Sequence, residues 1–388
     1  FLPRFQKEPD SPRRCPENHM EDFQKLHNIE VDKDDKYLFR FLDPLGKTVE
    51  HFGGAFYIMD PSATLISRFL NPEINEIVID LCAAPGGKTI SYAIKNPNSL
   101  IISNDISSTR VNQLKQNVER MGLTNVIITN HEPSFFLKNF QNFFDKVILD
   151  TPCSGTGMYR KEKELEEDFS FEKLERLLPL QQELLEIANK LLKDGGTLSY
   201  STCSFSQKED EEQINNFLKN NNNYNIIDLP DDKSFFKTSG PGIYLLPIFF
   251  QGEGQYICLL KKGGQLESNP TLKEKKITYK NKEWFISHYF KSIEKLEPQV
   301  IGVQLYNEKE KSTYSHAYSH TLKDYLNKII LTNENEALDY LHGDEININS
   351  TKKGEVLVFY KKIPLGWGKA SQGKLKNYLP KGIRLQSR

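Results

Sequence analysis

Between residues 75 and 261, short apolar runs alternate with amphipathic stretches. The runs at 76–81, 100–103, 126–129, 146–150 and 197–201 are mostly rich in Val, Ile or Leu, as strands covered on both faces should be. The intervening stretches 88–95, 107–121, 172–178, 179–192 and 207–218 read as helices. Pro179 is expected to open a new helix, because proline is tolerated in a first turn but not in an interior. Strands separated by helices require right-handed crossovers. The pattern therefore predicts an α/β fold with a mainly parallel, doubly wound, Rossmann-like sheet. One more run, 254–261, follows another extended piece and is expected as an antiparallel edge strand.

The flanks differ. The polar stretch 263–276 holds Gly-Gly, Asn-Pro and Lys-Glu-Lys-Lys and reads as a linker. The expected plan is an N-terminal remnant over 1–59, the α/β domain over 60–262, this linker, and a second folded unit over 277–388. At 388 residues the chain has room for two or three domains. No apolar run reaches 18 residues, so no membrane span or membrane partner is expected. No secretory leader follows Phe1, and the missing Met points to a natural N-terminus further upstream.

Charge changes the picture at the C-terminal end. The whole chain carries a net charge of −1, yet 351–388 holds ten basic residues against the single acid Glu355. Trp367 and Tyr378 are interleaved with them. This reads as a phosphate-binding end with aromatic platforms, and the alternation in 355–360 favours a folded segment over a solvated tail. The five cysteines, Cys15, Cys82, Cys153, Cys203 and Cys258, are odd in number and form no C-x-x-C pair. That argues against a disulfide framework or structural zinc; free thiols in a reducing cytoplasm are expected.

The first strand runs into Cys82-Ala83-Ala84-Pro85-Gly86-Gly87-Lys88-Thr89. A small-residue loop between strand and helix aims backbone N–H groups at a ligand above the strand ends. A nucleotide P-loop would need Gly where Cys82 stands, and the G-x-G-x-x-G fingerprint is absent, which leaves a methyltransferase cofactor loop. Asp105 ends the second strand, 25 residues past Asp80, where an acid can accept both hydrogen bonds of a ribose diol; a helix-capping role also fits it. The fourth and fifth strands lead to Asp150-Thr151-Pro152-Cys153-Ser154-Gly155-Thr156-Gly157 and Ser201-Thr202-Cys203-Ser204. Parallel strand ends converge on one crevice, so two thiols and a carboxylate should meet near the loop as a nucleophile with acid/base help. Each cysteine taken alone reads as a small buried hydrophobe. Neither His51 nor His131 lies where it would complete a Cys–His pair.

With these three motifs in this order, the chain closely resembles the RNA cytosine-5 methyltransferases of the Nop/Sun type over roughly residues 51–260. Segment 50–63 resembles the stretch preceding their catalytic domain. Segment 365–384 resembles the PUA-like RNA-binding end of the bacterial 16S ribosomal RNA methyltransferases. The resemblance implies S-adenosyl-L-methionine as cofactor, held by Cys82–Lys88, Asp105, Glu132 and Asp150. It implies Cys203 as the nucleophile on carbon 6 of cytosine, with Cys153 assisting proton loss and release. Asp150 would hydrogen-bond the base, and Lys88 would orient that carboxylate or favour the thiolate. Glu132 stands where many members carry Asp, and Thr151 where they carry Ala. Residues 13–18 stand where members show an Arg-Val-Asn-like strand. RNA is the implied partner, ribosomal ahead of transfer RNA, for a cytoplasmic monomer. Rival readings are a non-catalytic RNA-binding factor on the same fold and a P-loop NTPase.

Overall fold

The computed structural model describes residues 27, 29–32, 39–41, 44–71, 73–160, 170–250, 252–306 and 313–386. Cys15, residues 13–18 and Arg388 lie outside them. Helix α1 (Pro61–Phe69) leads into β1 (Ile77–Asp80), α2 (Gly87–Lys95), β2 (Leu100–Asn104), α3 (Ser108–Arg120), β3 (Val126–Thr129), β4 (Phe144–Asp150), α4 (Phe171–Leu191), β5 (Leu192–Thr202) and α5 (Glu211–Asn220). The five strands are parallel in the order β3-β2-β1-β4-β5. Every residue of β1, β2 and β3 is buried, which is why these runs are apolar without alternation. The order reverses between β1 and β4, and that switch point opens the crevice at the strand C-termini.

Four expectations need correcting. Pro179 lies inside α4, which runs unbroken through 21 residues. An interior proline costs about 3 kcal/mol, and the buried face on both sides, Leu174 before it and Leu184, Leu185, Ala188 and Leu191 after it, outweighs that. After β6 (Tyr224–Ile226), β7 (Phe235–Phe236) and β8 (Ile243–Leu245) comes β9 (Gln255–Lys262). It is antiparallel to β5 as expected, but it is not an edge, since β8 and β6 pair with its other side and β7 pairs beyond β8. The stretch 263–276 is not free chain either. Asn269 donates to the Asn75 carbonyl (3.0 Å) and to Asp145 Oδ2 (2.5 Å), and β10 (Lys273–Tyr279) already begins inside it. The fourth correction is Trp367, described below.

Strand β10 pairs with β11 (Lys282–Tyr289), and β12 (Val300–Ile301) then adds antiparallel to β3. Trp284, Ile286, Ile293 and Leu296 thereby join the core of the α/β sheet, so this part of the second unit packs on the first. After β13 (Val303–Gln304) a separate sheet follows: β14 (Lys328–Leu331), β15 (Ile346–Asn347), β16 (Gly354–Tyr360), β17 (Ile363–Ser371) and β18 (Lys374–Asn377), in the order β14-β16-β17-β18-β15, with α6 (Glu334–His342) against it. The basic end is thus folded sheet, not a tail.

Trp367 is core rather than a stacking platform: it is 3% exposed, stacks on Tyr314 and donates its indole N–H to the Ser315 carbonyl (2.9 Å). Tyr378 remains exposed. Residues 49–56 wedge between the two units. Val49 enters the core of the C-terminal sheet, and a Cβ on Gly54 would fall 1.9 Å from the Arg120 carbonyl oxygen at the end of α3. Burial, aided by the Arg120 charge, lowers His51 to about 4, so the imidazole is neutral in this wedge. Among the described residues no helix is long and apolar enough to cross a membrane.

Candidate active site

The C-termini of β1 to β5 deliver the site. Asn104, fully buried at the end of β2, makes four hydrogen bonds. It donates to the Leu81 and His131 carbonyls (3.2 and 2.9 Å) and accepts from Thr129 Oγ1 and the His131 N–H (2.9 and 3.0 Å). One amide therefore fixes the exits of three strands, and satisfying all its groups is what makes its burial tolerable. Beneath the loop, Thr89 Oγ1 donates to Asp80 Oδ2 (2.8 Å) and lies 2.9 Å from Ser103 Oγ. Burial, opposed by that Thr89 bond, pushes the Asp80 carboxyl up to about 7.

In the loop itself, Ala83 and Ala84 are buried, Pro85 is exposed, and Gly86 takes φ +112°, a left-handed backbone suited to glycine. A Cβ there would lie 2.8 Å from Leu114 Cδ1. Helix α2 starts at Gly87 without a side-chain cap, so its first-turn N–H groups are available to an anion. Cys82 does not offer a third reactive thiol. Burial first, then the charges of Asp80, Asp105 and Asp150, drive its thiol far above the usual range.

Asp105 is 1% exposed. Its Oδ2 accepts from the Ala84 N–H (3.3 Å) and pairs with Arg110 (3.3 Å), and its Oδ1 accepts from the Ser107 N–H (2.9 Å). Ser107, not Asp105, caps α3. Arg110 also reaches the Ala84 carbonyl. Sequence reading missed this arginine, although its place in the first turn after Asp105 was the available signal. Glu132 is exposed at the end of β3, while its neighbour Asn130 donates to the Asp105 and Ile106 carbonyls (2.8 and 2.9 Å). These groups fit the cofactor that the sequence implies: open N–H donors for its carboxylate and the buried acid Asp105 for its hydroxyls. They also come together at the switch point.

Four other residues singled out from the sequence lie together beside the loop. Lys88 Nζ stands 2.6 Å from Asp150 Oδ2, and Ser201 Oγ donates to Asp150 Oδ1 (2.7 Å). The Cys153 and Cys203 sulfurs are 3.1 Å apart, and the Cys203 N–H points at Cys153 Sγ (3.3 Å). Both cysteines are half-buried and neither forms a disulfide. The Cys203 hydrogen bond first, then burial and the charges of Cys203, Glu209 and Asp150, drives the Cys153 thiol well above its usual range, so it holds its proton. The backbone locks the two loops together: Thr151 N–H donates to the Ser201 carbonyl (3.0 Å) and Gly157 N–H to the Cys203 carbonyl (2.9 Å). In the amide orientation that satisfies both of its ends, Gln255 from β9 donates to the Ser62 carbonyl (3.2 Å) and accepts from Lys88 Nζ (3.1 Å). His131 stacks on Phe135 and contacts the Leu296 carbonyl (3.0 Å), an anchoring role away from the thiols. Among the described residues no cluster of His, Cys, Asp and Glu could hold a metal.

Comparison with known proteins agrees with this architecture. Residues 67–261 match the family model described as 16S rRNA methyltransferase RsmB/F, and residues 327–385 match the methyltransferase RsmF PUA domain. The ribosomal RNA small subunit methyltransferase F of Psychromonas ingrahamii is 30% identical over 88% of this chain and 81% of that protein. The protein of the same name from Shewanella woodyi is 30% identical over 87% of this chain and 80% of its own length. Among solved structures, a methyltransferase homolog from Pyrococcus horikoshii superposes with a TM-score of 0.53 at 27% identity, covering 64% of this chain and 83% of that one. NSun6 from the same organism, solved with SFG, gives 0.50 at 26%, covering 58% and 57%.

Proposed function

Since the chain belongs to the RsmB/F family of 16S rRNA methyltransferases and is an S-adenosylmethionine-dependent RNA methyltransferase, we propose that it methylates carbon 5 of a cytosine in 16S ribosomal RNA through a covalent bond to Cys203. The observation that carries this reading is the pair of free thiols 3.1 Å apart beside the Lys88–Asp150 pair at the switch point. A methyltransferase acting on an oxygen or an exocyclic nitrogen has no use for two thiols there.

When bound, S-adenosylmethionine supplies an electrophilic methyl group to carbon 5 of the base. The α2 N-terminus, Asp105 and Arg110 would hold it at the loop. The Cys203 thiolate attacks carbon 6, which turns carbon 5 into a nucleophile; only the thiolate attacks. Asp150, anchored by Lys88 and Ser201, accepts a hydrogen bond from the activated ring. Loss of the carbon 5 proton to water then restores the carbon 5–carbon 6 double bond and expels the Cys203 thiolate. Cys153 sits against Cys203 Sγ, where its thiol can hydrogen-bond the departing sulfur and so assist elimination. The base must be unpaired or flipped out of its stack to enter the crevice. The test is transfer of labelled methyl to 16S RNA followed by nucleoside analysis. Label in any product other than 5-methylcytosine rejects the reading, and bisulfite sequencing of RNA from cells with and without the protein locates the base.

Cofactor binding gives one prediction. Asp105→Ala should weaken S-adenosylmethionine by about 1.5–3 kcal/mol, the range for hydrogen bonds to a charged group. Unchanged affinity by calorimetry removes Asp105 from the pocket.

RNA binding gives another. Lys369 on β17 and Lys376 on β18 face each other across the strand pair, both exposed. Like charges opposite one another weaken an isolated sheet, whereas a phosphate between them turns the pair to use. Replacing both with Ala should leave the fold intact and lower the salt slope of RNA affinity by about 2. An unchanged slope would show that this face does not meet RNA. Point changes are the suitable probe, because β16, β17 and β18 are themselves the sheet and deleting 351–388 would unfold it.

A further inference from the structure

We propose that Glu209 is the positioning residue that sets the geometry of the Cys153–Cys203 pair, a role that rests on reading those thiols as the catalytic ones. Glu209 is 0% exposed, and among the described residues no lysine or arginine forms an ion pair with it. Burying a carboxylate without a cation is costly unless hydrogen bonds replace its water. Here four do. Ser154 N–H and Gln181 Nε2 donate to Oε1 (2.8 and 3.0 Å), and Ser154 Oγ and Ser204 Oγ donate to Oε2 (2.5 and 2.6 Å). The donors are not scattered. Ser154 follows Cys153 and Ser204 follows Cys203, while Gln181 also donates to the Pro152 carbonyl (2.9 Å), just before Cys153.

An ionised carboxylate only accepts, so it can take N–H and O–H donors from two loops at once. Glutamine in its place has one accepting oxygen, and alanine has none. The glutamate is itself held still. Tyr200 OH donates to its carbonyl (2.5 Å), and the next residue, Asp210, accepts from Thr202 Oγ1 (2.6 Å). The chain from Thr202 through Asp210 thus closes on itself around the nucleophile, and Glu209 is the clasp reaching across to the other thiol's loop. Its charge also faces Cys153 and helps keep that thiol protonated beside its neighbour.

The test uses the full chain as Glu209→Ala and Glu209→Gln. Without RNA, a short bifunctional thiol reagent should bridge Cys153 and Cys203 in the parent protein, read by mass spectrometry. Bridging should fall at least tenfold in Glu209→Ala. With RNA, kcat should fall about 100-fold, the scale for a misplacement near 1 Å, while KM and cofactor affinity stay within a few-fold. Glu209→Gln preserves the volume; it should retain most of the bridging and part of kcat, and shift Cys153 alkylation to lower pH because the facing charge is gone. Bridging and kcat at parental levels in Glu209→Ala overturn the proposal. Should that variant fail to fold, Glu209→Gln decides alone: bridging and kcat both at parental levels overturn it. Because bridging and alkylation need no substrate, loosened bridging in the variant of a protein that leaves cytosines unmethylated would uphold the clasp and reject the reaction instead.

Discussion

Removing the Cys203 sulfur is expected to abolish methylation and leave no covalent complex with RNA, while removing the Cys153 sulfur is expected to trap one. The two atoms are 3.1 Å apart at the ends of adjacent parallel strands, so position alone does not rank them. Their motifs do: the resemblance gives the attack to the cysteine of Ser201-Thr202-Cys203-Ser204 and release to the cysteine of Asp150-Thr151-Pro152-Cys153, whose thiol is pushed up by its hydrogen bond to Cys203, by burial and by the facing charges. Cys203→Ala has no atom to attack carbon 6. Cys153→Ala still attacks and can still accept the methyl group, then stalls because elimination is slowed. Denaturing gels with labelled RNA read the outcome: a stable adduct with Cys203→Ala and none with Cys153→Ala would reverse the roles. Normal turnover in both would eliminate the covalent route.

Asp150→Asn should be the next most damaging change. Its carboxylate is gripped by Lys88 Nζ at 2.6 Å and Ser201 Oγ at 2.7 Å, so it is aimed before substrate arrives. Asparagine preserves size but loses the charge that, on the proposed mechanism, faces the activated ring. General acid–base groups contribute about 10²–10⁴ in rate, and a loss of that order is expected under single turnover at saturating cofactor. On the proposed mechanism Asp150 acts on the attack itself, so the rate of adduct formation should fall with it. A loss below about tenfold would place Asp150 outside that 10²–10⁴ range and outside the chemistry.

Much of this was legible in the residues alone. The runs at 76–81 through 197–201 announced a buried parallel sheet, because a strand covered on both faces has no polar side to alternate with. Parallel strands linked by helices bring their C-termini to one edge, so Asp150, Cys153 and Cys203 could be placed together without coordinates. Lys88, which follows the loop glycines, stands 2.6 Å from Asp150.

What the sequence could not supply was long-range partnership. Nothing local distinguishes Glu209 from the acids Glu211 and Glu212 that follow it, since its meaning lies in Ser154, 55 positions away, and Gln181, 28 away. Trp367 carries the same composition signal whether it faces RNA or packs against Tyr314, and only the tertiary fold buried it. Pro179 shows the same limit: local propensity ended a helix there, and burial of the residues on either side carried it through. Periodicity reports which side of an element is apolar. The identity of the group on the other side is settled only when distant segments close over it.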